Sequence, residues 1–196
     1  MRFAPVGMTL LIAGLLAPVT LEAQDTRDCA VRVRAIYIAP DASSDPSGLD
    51  VEGSAAIEVD VTRYLSPLFA VELIAATAGH EVTADGTSIG SVSHVPPTLL
   101  FQVRPLREGN FQPYLGLGGN VTFFYGQSGA LEDLDFGTSV GWAGQGGFDV
   151  LMGERGLFNM DVKYIDIGTT VELDGTEVAD LDVNPWVIGL GFGYRF

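Results

Sequence analysis

The last residues of the chain, 186–196, alternate strictly between two kinds of side chain. The large apolar or aromatic ones are Trp186, Ile188, Leu190, Phe192, Tyr194 and Phe196. The positions between them carry a valine, three glycines and an arginine. Side chains of a β-strand point alternately to opposite faces, so one face of this segment is apolar and the other carries small or charged side chains. The pattern is typical of a strand with lipid outside and a narrow polar lumen inside.

Similar alternation recurs along the chain. The eight alternating segments lie at residues 30–39, 55–62, 68–83, 98–104, 111–125, 136–152, 157–167 and 183–196. Short turns at 62–67, 104–110 and 152–156 alternate with longer polar connections at 39–54, 84–95, 126–135 and 168–182. An even strand count with short turns on one side and long loops on the other is typical of outer-membrane barrels. The sequence therefore predicts an all-β fold, an eight-stranded antiparallel transmembrane β-barrel over residues 24–196, with both termini on the periplasmic side.

The first residues have the composition of a secretory signal peptide. Arg2 precedes an apolar run over residues 8–19, and small Ala23 is followed by a polar residue. A short basic segment, a brief apolar core and a small residue before the cleavage point define such a peptide. We expect residues 1–23 to be removed by cleavage after Ala23.

Charge and cysteine content restrict the possible partners. The formal net charge is −15. Nucleic-acid binding needs clustered Lys and Arg, so no nucleic-acid partner is expected. Cys29 is the only cysteine, which excludes an intramolecular disulfide.

Alternation alone fits a soluble barrel too, with its apolar face inward. The interior of an eight-stranded barrel is only just wide enough for side chains, and so many aromatic residues would crowd it. Turned inward, the polar residues instead bring charges of both signs together; Arg32 and Arg34, for example, lie across from Glu58 and Asp60. The predicted inward-facing set is Arg32, Arg34, Glu58, Asp60, Glu72, Gln102, Arg104, Asp149, Asp161, Lys163 and Arg195. These residues either line a selective pore or form an internal salt-bridge core, and the narrow interior favours the second for most of them.

Aromatic residues cluster where the strands are expected to end. Tyr194 and Phe196 fall near the short-turn side, whereas Trp142, Tyr164 and Trp186 fall near the long loops. Membrane barrels carry two aromatic girdles, one at each bilayer interface. These five residues are therefore predicted to lie at the membrane interfaces.

Several segments resemble one known family in order along the chain. They are the Pro-Pro-Thr-Leu stretch at 94–102, the Pro-Tyr-Leu-Gly stretch at 113–116, and segments 120–124, 161–167 and 184–196. Together they resemble the outer membrane protein W family. The resemblance implies a monomeric barrel in the bacterial outer membrane that passes small, often hydrophobic molecules or serves as a surface receptor. It also implies that terminal Phe196, with Tyr194 two residues before it, is read by the outer-membrane insertion machinery.

Two histidines flank the second long loop. His80 and His94, with Ser91, Ser93 and Glu81 nearby, allow a Ser-His-acid hydrolase or a metal site to be considered. Sequence alone gives no catalytic geometry, and a polar pair at the base of the loop is the favoured interpretation. Acidic residues at 133–135 and 174–177 lack the spacing of a calcium loop and are expected to be solvated, with ion-bridged contact to lipopolysaccharide as an alternative. We therefore expect no catalytic residue, metal or cofactor.

The function predicted from these features is a small passive channel or binding pocket for small hydrophobic molecules. The expected surroundings are outer-membrane lipids and lipopolysaccharide. The alternative is a structural or receptor barrel that transports nothing and binds partners through its acidic loops.

Overall fold

The computed structural model describes residues 28–45, 49–84, 86–106 and 108–196. The predicted signal peptide at residues 1–23 lies outside these ranges. Within them the chain forms fifteen strands and a short 3-10 helix (Gly129–Leu131). The strands are β1 (Cys29–Ala39), β2 (Ser43–Asp45), β3 (Leu49–Val51), β4 (Ser54–Tyr64), β5 (Phe69–Ala76), β6 (Ala78–Ala84), β7 (Thr87–Val95), β8 (Thr98–Val103), β9 (Phe111–Tyr125), β10 (Leu134–Phe136), β11 (Ser139–Met152), β12 (Gly156–Ile165), β13 (Gly168–Leu173), β14 (Thr176–Asp182) and β15 (Trp186–Arg195).

Eight of these strands close into a barrel, as predicted. Their order around the ring is β1, β4, β5, β8, β9, β11, β12 and β15, and every neighbouring pair is antiparallel. The ring closes where β15 pairs with β1, from Trp186 opposite Ala39 to Arg195 opposite Ala30. Closure pairs the edges that an open sheet would expose, which is the condition for a sheet to cross a bilayer. No helix in the described ranges has the length and apolar character needed to cross a bilayer as a helix.

Two connections expected to be loops are mostly strand. Residues 84–95 contain β7, which pairs with β6, and residues 168–182 contain β13 and β14, which pair with each other. The loop expectation was wrong because small polar residues at outward positions hide the inward alternation. Val92, Val171 and Leu181 are the buried apolar residues of that alternation. The predicted segment 68–83 is likewise divided at Thr77 into β5 and β6.

The outer surface of the barrel changes character along its height. On β8, the outward side chains Leu99 and Phe101 are both 47% exposed. On β6 and β7 the exposed outward residues include Gly79, Glu81 and Ser91. The apolar outer band therefore ends between the eight barrel strands and the part formed by β2, β3, β6, β7, β10, β13, β14 and the 3-10 helix, which we call the extracellular extension. Long loops of outer-membrane barrels face the cell exterior, which places this part in water.

The strand ladder is interrupted at the same level. Ile74 pairs with Thr98 and Ala78 pairs with His94, but the residues between these pairs do not continue the ladder. Pro96 and Pro97 occupy the gap and have no amide hydrogen to donate. We call this gap, at residues 75–77 and 95–97, the wall break.

One interior glycine permits a close approach between β15 and β1. A Cβ on Gly191 would lie 2.1 Å from the Val33 carbonyl oxygen and 2.7 Å from Arg34 Cα. We expect Gly191→Ala to lower the free energy of unfolding by about 1–3 kcal/mol, the usual cost of overpacking. Urea unfolding in phospholipid vesicles, followed by tryptophan fluorescence, measures this change.

Gly119→Ala is the matched control for that substitution. Its added Cβ would lie 3.4 Å from the Gly141 carbonyl oxygen, an ordinary contact, so the change in unfolding free energy should be smaller. Equal losses for both variants would show that the close approach at Gly191 is not what requires glycine.

Candidate functional site

The polar residues predicted to face inward are all inside the barrel. Each of the eleven is buried, and the most exposed of them, Arg195, is only 7% accessible. Their burial follows from strand parity, because the lipid-facing positions between them are apolar. The sequence prediction thus identified the inner face, whereas a role in selectivity stays a prediction.

Arg34 is the centre of the upper layer of charges. Its guanidinium forms ion pairs with Asp60 and Asp161, and it approaches Glu72 at 2.6 Å and Glu58 at 3.2 Å. Such multiple pairing compensates the cost of removing a guanidinium from water.

Lys163 belongs to the same layer as Arg34. Its ammonium group lies 2.8 Å from Glu58 Oε1 and 3.0 Å from Asp161 Oδ2. Both carboxylates are also partners of Arg34, so the two cations share their counter-ions. The layer is therefore one connected network.

Arg32 and Arg104 form the lower layer of charges. Arg32 donates to Asp149 through Nε at 3.2 Å and Nη2 at 2.9 Å, and to Asp60 at 2.7 Å. Arg104 pairs with the same Asp149 and donates to Gln102 Oε1 at 2.9 Å. Gln102 in turn donates to Glu72 Oε2 at 2.6 Å, which links the two layers.

These layers form a closed cross-section of the barrel. Among the described residues, the buried cations are Arg32, Arg34, Arg104, Lys163 and Arg195, and the buried carboxylates are Glu58, Asp60, Glu72, Asp149 and Asp161. Five positive and five negative formal charges cancel over this whole buried set, whereas the two layers alone, without Arg195, hold four cations and five carboxylates. Arg32, Glu72, Gln102 and Asp149 have no accessible surface, so no water-sized space adjoins them. We call the network of these charged residues and Gln102, without Arg195, the ion-pair plug.

Arg195 lies apart from the ion-pair plug. Its guanidinium lies over the Tyr64 ring, 5.4 Å from the centroid. Tyr64 packs with Ala30, Ala70 and Leu157 in a small buried cluster at the periplasmic end. The backbone of Arg195 pairs with Ala30 of β1, where the ring closes.

Above the ion-pair plug the interior is mainly apolar, which the expectation of a polar lumen missed. The buried hydrophobic residues here are Ile36, Ile38, Val51, Ile74, Ala78, Leu100, Ala143, Ile165, Ile167, Val171, Leu181, Val183 and Val187. We call this set the upper apolar core. Its signal was present in the sequence, because Ile36 and Ile38 continue the inward parity of Arg32 and Arg34 along β1. The expectation was wrong because alternation shows which residues face inward. It does not show at what height along the barrel the inward-facing residues change from charged to apolar.

A stacked pair of histidines borders the upper apolar core. The rings of His80 and His94 are 5.0 Å apart at an interplanar angle of 12°, and both line a cavity of about 10 Å³. The remaining residues around this cavity are Val51, Val92, Phe124, Phe136, Ile167, Leu181 and Val183. So small a space is near the minimum for one water molecule.

The two histidines have different partners. His80 Nδ1 lies 2.7 Å from the Glu52 carbonyl oxygen, which can only accept, so Nδ1 is the donor; Nε2 lies 3.4 Å from Ser54 Oγ. His94 makes ring contacts with His80 and Phe124 but no hydrogen bond to any described residue. Both lie in the extracellular extension, where burial lowers the pKa of His80 and lowers that of His94 to about 4. Both rings are therefore neutral at pH 7.

This arrangement does not assemble the hydrolase that the sequence allowed. Ser91 Oγ lies 2.8 Å from Ser128 Oγ, not at a histidine, and Glu81 is exposed on the outer face. Within the described ranges no carboxylate bonds either ring, and no group of three or more His, Cys, Asp or Glu side chains converges as a metal site would require. The polar pair at the base of the loop is the arrangement found.

The predicted interface aromatics lie at the two ends of the outer surface. Trp142 and Tyr164 have ring centroids 5.3 Å apart, and Tyr164 lies 5.2 Å from Trp186, forming a row across β11, β12 and β15. Tyr194, at the other end, is 50% exposed, and Phe196 is 45% exposed. Their anchoring role and the recognition of Phe196 by the insertion machinery stay predictions.

A closed antiparallel barrel with an apolar outer band and an ion-paired interior defines a transmembrane barrel of the bacterial outer membrane. Comparison with known proteins agrees. The OmpW family model matches residues 26–196, and the chain belongs to this family.

Individual relatives support the same assignment. The chain is 35% identical over 180 residues to the uncharacterized outer-membrane protein y4mB of Sinorhizobium fredii, covering 85% of this chain and 79% of that protein. It is 36% identical over 162 residues to outer membrane protein W of Escherichia coli, covering 76% of each. The crystal structure of OprG from Pseudomonas aeruginosa superposes with a TM-score of 0.78 at 32% identity, covering 86% of this chain and 95% of that one. These relatives place the protein in the outer membrane.

Proposed function

We propose that the protein is a passive path by which small hydrophobic molecules cross the lipopolysaccharide surface and reach the membrane interior. The observation that carries this proposal is the upper apolar core, which faces the extracellular side above a closed ion-pair plug. Transfer of an apolar solute from water into apolar surroundings is favourable, so this core is where such a solute would partition.

Passage straight down the axis is opposed by the ion-pair plug. A solute moving past Arg34 would separate it from several carboxylates with no water to replace them. Unpairing buried charges in this way costs several kcal/mol. The solute is therefore held above the plug rather than delivered to the periplasm.

The wall break offers a sideways exit for the same solute. It lies beside Ile74 and Ala78, two residues of the upper apolar core, at the level where the lipid-facing band begins. With Pro96 and Pro97 donating no ladder hydrogen bonds, fewer bonds must open there than elsewhere in the wall. A solute that leaves at this point enters lipid and needs no aqueous pore.

A receptor or structural barrel is the second candidate. It is favoured by the small cavity at the histidine pair, about 10 Å³, which shows the upper interior closed by its own side chains. Surface binding through the extracellular extension would need no opening at all. The two roles can be distinguished by blocking the upper apolar core, which should reduce solute uptake only if the protein transports.

Uptake of a small hydrophobic dye into intact cells tests the proposal. Cells are needed because lipopolysaccharide slows such solutes, whereas phospholipid vesicles admit them unaided. N-phenyl-1-naphthylamine, which fluoresces on reaching lipid, should enter several-fold faster with the wild-type protein than without it. Ala78→Trp, which fills the core beside the wall break, should return the rate to that of cells lacking the protein.

Ala35→Trp is the matched control, because Ala35 faces outward from β1 and the same bulky side chain there meets lipid. It should leave uptake unchanged. The receptor role would be favoured if uptake were the same in cells with the wild type, with Ala78→Trp and without the protein. This comparison requires that both proteins are folded in the membrane.

A further inference from the structure

We propose that the cavity at His94 binds the hydroxyl group of a small aliphatic alcohol, whose chain lies in the upper apolar core. This inference rests on the proposed function, since the ligand reaches the cavity only if the core admits it. It names the chemical class that the path prefers: uncharged molecules with an apolar chain and one hydrogen-bonding head, rather than plain hydrocarbons.

The ring of His94 has hydrogen-bonding capacity that no described residue meets. His94 is only 5% exposed, lines the cavity and makes no hydrogen bond to any described residue. A neutral imidazole has one N–H donor and one nitrogen acceptor. Polar groups inside folded proteins are normally satisfied by a hydrogen-bond partner. A hydroxyl group can donate to this ring or accept from it.

His94 differs from His80 in the hydrogen-bond partners of its ring nitrogens. Both ring nitrogens of His80 have partners, the Glu52 carbonyl and the Ser54 hydroxyl. The two rings stack, so His80 fixes the position of His94 while leaving its nitrogens available. The space beside them, about 10 Å³, is close to that of one water molecule and so fits a hydroxyl head.

The surroundings select an uncharged head. The other residues that line the cavity are aliphatic or aromatic, and no cation among the described residues contacts the His94 ring. A carboxylate placed here would be desolvated without a counter-ion, which is strongly unfavourable. Burial also keeps His94 neutral at pH 7, because it lowers the pKa of the ring to about 4.

The chain of the ligand would occupy the upper apolar core directly beside the cavity. Ile167, Leu181 and Val183 belong to both the cavity lining and the core, so the two are continuous. The chain displaces side-chain packing there, which is the same opening that the proposed path requires.

Nuclear magnetic resonance of the full protein in phospholipid nanodiscs tests the assignment, with 1-octanol and octane as probes. In the wild type, 1-octanol should shift the ring nitrogen signals of His94 in a saturable way, and octane should not. Amide signals of Val92, Phe124 and Ile167 report binding in every variant. His94→Phe, which keeps an aromatic ring, should weaken 1-octanol binding by up to about tenfold, the loss of one net hydrogen bond. Ser93→Ala, on the other face of the same strand, is the control and should not change it.

Equal effects of octane and 1-octanol on His94, or equal 1-octanol affinity in wild type and His94→Phe, would overturn the inference. The comparison of two probes in the wild type does not depend on the folding of a variant. If dye uptake persists while this discrimination fails, only the hydroxyl site is wrong. If neither 1-octanol nor octane shifts the amide signals of Val92, Phe124 and Ile167, and dye uptake is also absent, the proposed path is wrong as well.

Discussion

Replacing Arg34 by methionine is expected to lower the free energy of unfolding of the barrel by about 3–5 kcal/mol, the usual cost of breaking a buried charge network from one side. Arg34 has no exposed side-chain surface and pairs with four carboxylates. Methionine fills a similar volume but leaves Asp60 and Glu72 with Arg32 as their remaining close arginine partner. Carboxylates buried without full compensation are the source of the loss.

Arg63→Met provides the matched control for this prediction. Arg63 Nη2 lies 3.9 Å from Asp28 Oδ2, and the Asp28 side chain is 52% exposed, so the pair is weak. Exposed pairs contribute about 0–1 kcal/mol. Urea unfolding in phospholipid vesicles compares the two variants, with the slope against urea checked for constancy. Losses of similar size for Arg34→Met and Arg63→Met would mean that the ion-pair plug is not a main source of stability.

The sequence predicted the barrel because a membrane reverses the usual rule of burial. Charged residues at every second position make sense as an inner face only if lipid covers the opposite, apolar face. The same alternation therefore predicted both the number of strands and the face of each strand that points inward. The cross-strand matching of β1 and β4 was also predictable, and the structure pairs Arg32 with Asp60 and Arg34 with Glu58 as backbone neighbours. β1 and β4 are neighbours in the barrel, and one buried face on each strand restricts their register, because a shift by one residue would turn the charged side chains outward.

Contacts across the lumen were not predictable in the same way. Arg32 pairs with Asp149 and Arg34 with Asp161, on strands far away in sequence. These partners depend on barrel curvature and on the stagger between strands, which alternation does not encode. The alternation within one strand shows which face a residue occupies, whereas its partners across the interior depend on the closed ring.

The extracellular extension was misjudged for a different reason. Its strands carry polar residues outward and small apolar ones inward, as in a water-soluble sheet. Val92 is only 5% exposed, although it is surrounded in sequence by Gly and Ser. Such composition usually indicates loops. The outer surface changes from lipid-facing to water-facing at the wall break. The strands continue beyond it, but their sequence no longer has the pattern of a membrane strand.

Acidification from pH 7 to pH 4 is expected to loosen the extracellular extension while the barrel stays intact. Burial, with a smaller contribution from His80, lowers the pKa of His94 from 6.5 to about 4 in the closed structure. Above pH 6.5 the ring is neutral whether the extension is closed or open, so it has no effect. Between pH 6.5 and about 4 the open form takes up a proton and the closed form does not, so closure weakens as the pH falls.

The size of the effect follows from that difference in pKa. At 1.36 kcal/mol for each pKa unit, closure of the extension loses about 3 kcal/mol by pH 4, which raises the open population about a hundredfold. His80 acts in the same direction, because burial lowers its pKa too. The groups that face the pair are the Glu52 carbonyl, the Ser54 hydroxyl and the apolar cavity lining, and no carboxylate of the described residues bonds either ring to oppose the change.

Hydrogen exchange of backbone amides, corrected for the intrinsic effect of pH, measures this opening. Amides of β6 and β7 should exchange faster at pH 4 than at pH 7, whereas amides of β12, in the barrel wall, should not. His94→Phe keeps an aromatic ring without a titrating group and should remove most of the pH dependence. If wild type and His94→Phe respond alike to acid, the histidine pair does not control closure, and the acidic groups of the extension must be responsible instead.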